Sequence, residues 1–311
     1  MHPRVDTLFA ELLHRLGLDP RALPVSPTTR SGRLTVGASA STAQKLWELH
    51  RIIDVVCSIS ANINIRRVRE GKQPSPFVAI DMSSGLGAYH YQPKRGPLVP
   101  LVGSPLQLLE AVVRHSLPYR LGLFERDPDV LPLLQQNLAT ATSHLGANAK
   151  QVEVVPGDFS QTAVDWIARK VRVWMFGLMV IDVNAVFDSA ELRGIAARPE
   201  LKRVDVALHL PASMVKWPER RIQPATLDEL RAAFRKQHWQ VAHSRGKYQW
   251  TWVYGTNNPK MRVLAERGFA AVDSPIGEAR LERLRMTKTQ HERRGQRGLF
   301  EGLEGNPDVQ G

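Results

Sequence analysis

The sequence predicts an α/β fold: a doubly wound, mostly parallel sheet ending in an antiparallel hairpin, with an N-terminal helical extension and a basic C-terminal tail. Three observations predict it. From about residue 75 onward, apolar runs of strand length alternate with amphipathic helical stretches. Those runs are continuously apolar, as expected of parallel strands covered on both faces. Finally, HWQVAHS and YQWTWVY are separated only by Arg245, Gly246 and Lys247. So short a link cannot make a parallel crossover, so these two strands are expected to pair antiparallel.

The elements follow in order. Residues 4–17 read as a short amphipathic helix with Leu8, Leu12, Leu13 and Leu16 on one face. Residues 18–40, rich in Pro, Ser, Thr, Gly and Arg, read as a loop or linker. A long helix is expected from Ser41, with Leu46, Leu49, Ile52, Ile53, Val56, Ile59 and Ile63 at helical spacing, stopped by Gly71 and Pro74. Strands are then expected at PFVAIDM, YRLGLFE, VEVVPGD, VWMFGLMVID and VDVALHL, with helices between them. The helix after the first strand is delayed to Ser104, where Ser104, Pro105 and Gln107 form an N-cap, first-turn proline and capping-box pattern. Thr226 and Glu229 form a second such box. The division expected is 1–72 helical extension, 73–258 Rossmann domain and 259–311 basic helical or disordered tail.

The formal net charge of +12 and pI near 10.2 favour an anionic partner, most simply nucleic acid, over an inert basic surface. Residues 279–297 carry seven Arg/Lys against two Glu, either a nucleic-acid-binding arm or a solvated basic helix. The single cysteine, Cys57, lies in an apolar helical pattern and reads as core. One cysteine excludes an internal disulfide and a cysteine-based zinc site, and a reducing cytoplasm fits. The scattered histidines form no HExxH pair, so no metal is expected. MHPRVDTLFAELLHRL does not read as a signal peptide, and the longest apolar run, Val173–Ile181, is too short to span a bilayer.

In open α/β sheets ligands sit at the carboxyl ends of the strands. The first strand ends in Asp81, followed by Ser83, Gly85 and Gly87. His90 stands where a dinucleotide fingerprint would have its third Gly, so pyrophosphate binding is disfavoured. The shorter D-x-x-x-G-x-G pattern suits a cofactor without phosphates, such as S-adenosylmethionine (SAM), or a purely structural turn. Glu125 at the second strand end is a candidate acceptor for ribose hydroxyls, or a glutamate of the next helix's first turn. Asp158 at the third is a candidate acceptor for an adenine amine, or an N-cap; Phe159 is placed to pack on the ring. At the fourth, Asp182 or Asn184 is positioned to hold a methyl acceptor, with Asp182 as a turn former the alternative. The stretch 88–103, with Tyr89, His90, Tyr91, Lys94 and Arg95, is expected to be a lid or substrate-contacting loop, or an inert surface loop.

Five βα units closed by an antiparallel hairpin resemble the order of SAM-dependent methyltransferases. More specifically, IDMSSGLGAYH, GSPLQLLEAV, LGLFERDPDVLPLL, VVPGDF and VIDVNAVF resemble the three-Cys-motif partner family (TcmP) over roughly residues 75–220. The chain differs at Ser83-Ser84, where the family tends towards aromatic-Ala, and at Val183, where Pro is usual. The resemblance implies a methyltransferase-like Rossmann fold and association with a second protein bearing a three-cysteine motif. Two functions are therefore expected to compete. One is a SAM-dependent methyltransferase acting on a nucleic acid or a partner-bound macromolecule. The other is a non-catalytic nucleic-acid- or protein-binding partner on the same fold.

Overall fold

The computed structural model describes residues 3–25, 40–92, 96–182, 189–211, 227–242, 250–259 and 262–285. Two helices lead, α1 (Pro3–Arg15) and α2 (Ala40–Arg69). The alternating region comprises β1 (Phe77–Asp81), β2 (Ala88–Tyr91), β3 (Val99–Val102), α3 (Ser104–Arg114), β4 (Tyr119–Glu125), α4 (Leu131–His144), β5 (Val152–Pro156), α5 (Phe159–Lys170), β6 (Phe176–Ile181), α6 (Ser189–Ala196) and β7 (Val204–Pro211). It closes with α7 (Leu227–Phe234), β8 (His238–Val241), β9 (Trp250–Thr256), α8 (Arg262–Glu266), β10 (Ala270–Ala271) and α9 (Pro275–Arg285).

Eight strands form one sheet in the order β10-β8-β9-β7-β6-β1-β4-β5. β5, β4, β1, β6 and β7 pair in parallel, as their unbroken apolar runs require. β9 is inserted between β7 and β8 and runs antiparallel to both. The doubly wound sheet ending in an antiparallel hairpin is therefore as the sequence predicts.

Alternate residues of each strand feed two cores. Phe77 and Ala79 face one core while Val78 and Ile80 face the other. α1, α2, α3 and α4 cover the first face. Leu46, Leu49, Ile52, Ile53 and Val56 of α2 are buried there, each contributing about 1.5–3 kcal/mol by leaving water. Cys57 is fully buried among them, and burial pushes its thiol pKa up. α5, α6, α7 and α9 cover the second face, where Leu284 of α9 is also buried. Of the segment read as a tail, residues 262–285 thus fold against the β8 edge, through β10 and α9. Residues 286–311 lie outside the described residues. No helix among the described residues is long and apolar enough to cross a membrane.

One local expectation is corrected, and another stretch takes a defined form. Within the stretch 88–103, β2 pairs antiparallel with β3 and β3 packs against α1, while residues 93–95 lie outside the described residues. The consecutive residues Ala88 and Tyr89 and, opposite them, Leu101 and Val102 are all buried, so both faces of this end of the pair are covered. The helix after it does begin at Ser104, but its cap is Gly103, which makes no side-chain capping bond. The Ser104 side chain instead lies towards Asp81, and Gln107 Nε2 donates to the carbonyls of Val102 and Leu46. A buried carboxylate and two buried carbonyls compete successfully for groups that a solvent-exposed helix would spend on its own N-terminus.

Candidate functional site

β1 is the topological switch point: the chain winds away from it through β4 and β5 on one side and through β6 and β7 on the other. A crevice is expected outside its carboxyl end. The glycine turn stands there. Gly85 and Gly87 have φ of +58° and +77°, a region that other residues enter only at a cost. Among the described residues, a methyl group on Gly85 would meet nothing within 4 Å. One on Gly87 would press on Leu106 and Leu134 at 3.3 Å. The turn is held from β4, where Phe124 O accepts from Ser84 N at 3.0 Å and Glu125 Oε2 from Gly85 N at 2.7 Å. From α4, Asn137 Nδ2 donates to Leu86 O at 2.9 Å.

Asp81 is wholly buried. Its Oδ1 accepts from Ser83 N at 3.3 Å, and its Oδ2 has no hydrogen-bond partner among the described residues. Burial pushes its pKa up to about 7, and the negative charges of Asp182 and Glu125 push the same way. Glu125 uses its second oxygen to accept from Asp127 N at 2.8 Å, so its carboxylate clamps the glycine turn to the start of the following segment.

Asp182, just after β6, lies in a buried polar cluster. Lys45 Nζ, from α2, lies 3.0 Å from Oδ1 and 2.8 Å from Oδ2. His209 Nδ1, from β7, lies 3.0 Å from Oδ1. Burial alone would raise the Asp182 pKa, but Lys45 and His209 outweigh it and hold the carboxyl well below its ordinary range. The His209 ring stands between Trp250 and Trp252, with centroids 5.7 and 5.4 Å away. Burial lowers its pKa, and Asp182 only partly offsets this. Trp252 Nε1 donates to Lys45 O at 3.0 Å, which fixes the start of α2 over this end of the sheet. Tyr89 is buried nearby; burial and the Asp182 charge raise its pKa.

Other sequence-predicted residues sit as follows. Asp158 caps α5, its Oδ1 accepting from Ser160 N at 3.0 Å; that bond, then Arg126 at 3.7 Å, lowers its pKa. Phe159 opens α5 and packs against the second core. Ser83 contributes its N–H to Asp81. His90 is turned away from the crevice, with Nδ1 3.3 Å from Leu23 O. Tyr91 is half-buried against the first core. Asn184, Lys94 and Arg95 lie outside the described residues. Sequence reasoning missed Lys45 and His209. A histidine inside the apolar run VDVALHL was a signal for His209; nothing local marks Lys45, which meets Asp182 across 137 residues.

No family model matches the sequence, and no curated protein matches it. Among solved structures, the chain is similar to protein LPL1258 from Legionella pneumophila at 14% identity and a TM-score of 0.41, over 69% of this chain and 90% of that one. The METTL16 MTase domain gives 13% identity and a TM-score of 0.41, over 82% and 79%. A putative O-methyltransferase from Klebsiella pneumoniae gives 14% identity and a TM-score of 0.37, over 83% and 91%. Likenesses so distant decide nothing about activity. The class of the fold rests on the strand order itself, with reversed β9 lying between β7 and β8.

Proposed function

We propose that the chain is a SAM-dependent methyltransferase acting on a nucleic acid or a partner-bound macromolecule. The observation that carries this reading is the unpartnered, fully buried Oδ2 of Asp81 at the switch point. A buried acceptor left without a donor costs about 1–3 kcal/mol, more when charged. Asp81 also stands in the field of Glu125 and Asp182. A pocket with this excess of carboxylate repels phosphates and favours a cationic, phosphate-free ligand. SAM fits on both counts, carrying an ammonium and a sulfonium.

Asp81 and the Gly85 turn would hold the cationic end, Glu125 would hold the ribose side, and Asp158 and Phe159 the adenine side. When bound, SAM supplies an electrophilic methyl group. The chain's own residues exclude water from the end of β6 and hold Asp182 ionised through Lys45 and His209. The charge of +12 supports an anionic acceptor. The TcmP-like motifs, GSPL above all, support association with a three-cysteine-motif protein as a further part of this reading.

A second reading, a non-catalytic binding partner, draws on the same Lys45–Asp182 pair, which takes up the carboxylate that a methyl acceptor would otherwise meet. Calorimetry separates the two. The first expects SAM and its demethylated product to bind at sub-millimolar concentration; the second expects neither to bind.

A further inference from the structure

His209 Nε2 is a buried nitrogen with no partner among the described residues, on a ring only 7% exposed. Nδ1 lies 3.0 Å from Asp182 Oδ1, an ionic contact at a distance that favours a proton there although its alignment is not that of a hydrogen bond. A carboxylate at that distance holds the proton on Nδ1 and leaves a lone pair on Nε2. Cross-strand pairing sets His209 opposite Trp252, and the two tryptophans fix the ring. Among the described residues, the charged or titratable groups that bear on it are Asp182 just after β6, Lys45 on α2, and Tyr89 on β2, which faces Asp182.

Resting on the methyltransferase reading, we propose that His209, oriented by Asp182, accepts the proton of a hydroxyl group on the methyl acceptor. The acceptor oxygen bonds to the methyl carbon as the carbon–sulfur bond of the sulfonium donor breaks, its electron pair staying on sulfur. The hydroxyl proton passes to Nε2 and from there to water. Three observations favour oxygen as the acceptor. An incoming O–H donates to the Nε2 lone pair and relieves its unmet hydrogen bond. Both Asp182 oxygens are engaged by Lys45 and His209, so they are not free to hold the two N–H groups of an exocyclic amine. A carbon acceptor of the kind activated by a cysteine nucleophile has no thiol to use, since Cys57 is the only cysteine and is fully buried in α2.

The test uses the full chain, methyl-labelled SAM and an RNA-containing extract of the organism that encodes it, with labelled products sorted into O-, N- and C-methylated species. The expected result is label on oxygen, with His209→Gln slowing incorporation about 100-fold while SAM affinity stays within about twofold. The wild-type rate should rise with pH through a value below 6.5 and then level, and the variant should lose that limb. Nitrogen NMR of the wild-type chain is independent of whether the variant folds; it should find the proton on Nδ1 and a neutral ring at pH 7. Label on nitrogen or carbon, an unslowed variant, SAM bound with no label moved, or the proton on Nε2 each overturns the proposal and leaves the cofactor reading standing. Absence of SAM binding overturns that reading, and the proposal with it.

Discussion

Lys45 and Asp182, 137 residues apart in sequence, form a buried ion pair with Nζ 2.8 Å from Oδ2. Their side chains are 13% and 11% exposed, so neither charge is well solvated. The pair ties the first turns of α2 to the carboxyl end of β6, the edge at which ligands sit in open α/β sheets. Removing one partner strands the other. Lys45→Met should cost about 3–5 kcal/mol in urea unfolding, and adding Asp182→Asn should recover part of that loss. A cost for Lys45→Met below about 1 kcal/mol would mean that the pair is open to solvent.

The two glycines of the turn should fail differently. Gly85→Ala places a methyl where none of the described residues lies within 4 Å, at a strained φ worth about 1–2 kcal/mol, and should weaken SAM binding more than it lowers stability. Gly87→Ala adds pressure on Leu106 and Leu134 to a similar strain, so its melting temperature should fall further. Calorimetric melts and SAM titrations of the two variants check the order.

Asp81 predicts a pH dependence. Its pKa is about 7 in the folded chain against 3.8 for the free side chain. Between those values the folded chain holds a proton that the unfolded chain has lost. This group's contribution to stability is therefore full below about pH 4 and is lost as pH rises towards 7. Asp182, with its lowered pKa, acts oppositely, and its contribution fades only in strong acid. A cationic ligand prefers the ionised carboxylate, so SAM affinity should rise through pH 7 and then level. Asp81→Asn should flatten that profile and lower affinity roughly tenfold or more at pH 8.

Asp158 is both an N-cap and a candidate adenine contact. Asp158→Ala should lose about 1 kcal/mol of stability, while Asp158→Asn, which caps equally well, should lose little. Urea unfolding of the pair isolates the cap; an equal loss in both would move the weight to the Arg126 contact.

The binding reading of the basic C-terminal segment needs a well-placed cut. α9 runs to Arg285, with Leu284 buried and Arg280 Nη1 donating to Val241 O and Gly268 O, both at 2.8 Å. Deletion from residue 279 would therefore damage the fold. Deletion of 286–311 should leave the melting temperature in place and reduce the salt-dependent slope of RNA binding. An unchanged slope would count against a binding role for this segment.

Much of the fold was legible because parallel strands buried on both faces leave unbroken apolar runs, and because so short a link between the last two long strands leaves no room for a crossover helix. The strand-end residues Asp81, Glu125, Asp158 and Asp182 were legible for the same reason, since a strand's end is a local fact. What they bond to was not. Glu125 turned out to clamp the Gly85 turn, Ser104 to serve Asp81 rather than its own helix, and Lys45 and His209 to meet at Asp182. Each of these is a long-range competition for a buried donor or acceptor, and no window of sequence contains both parties. Within 88–103, polar and glycine content hides two short strands, β2 and β3, whose pairing with each other no local pattern announces.

The most direct measurement is titration of the full chain with SAM at pH 8, wild type beside Asp81→Asn. A cationic pocket ligand held by Asp81 predicts sub-millimolar binding in the wild type and a clear loss in the variant. No binding of SAM or of its demethylated product to the wild type, or equal binding to both chains, would contradict it.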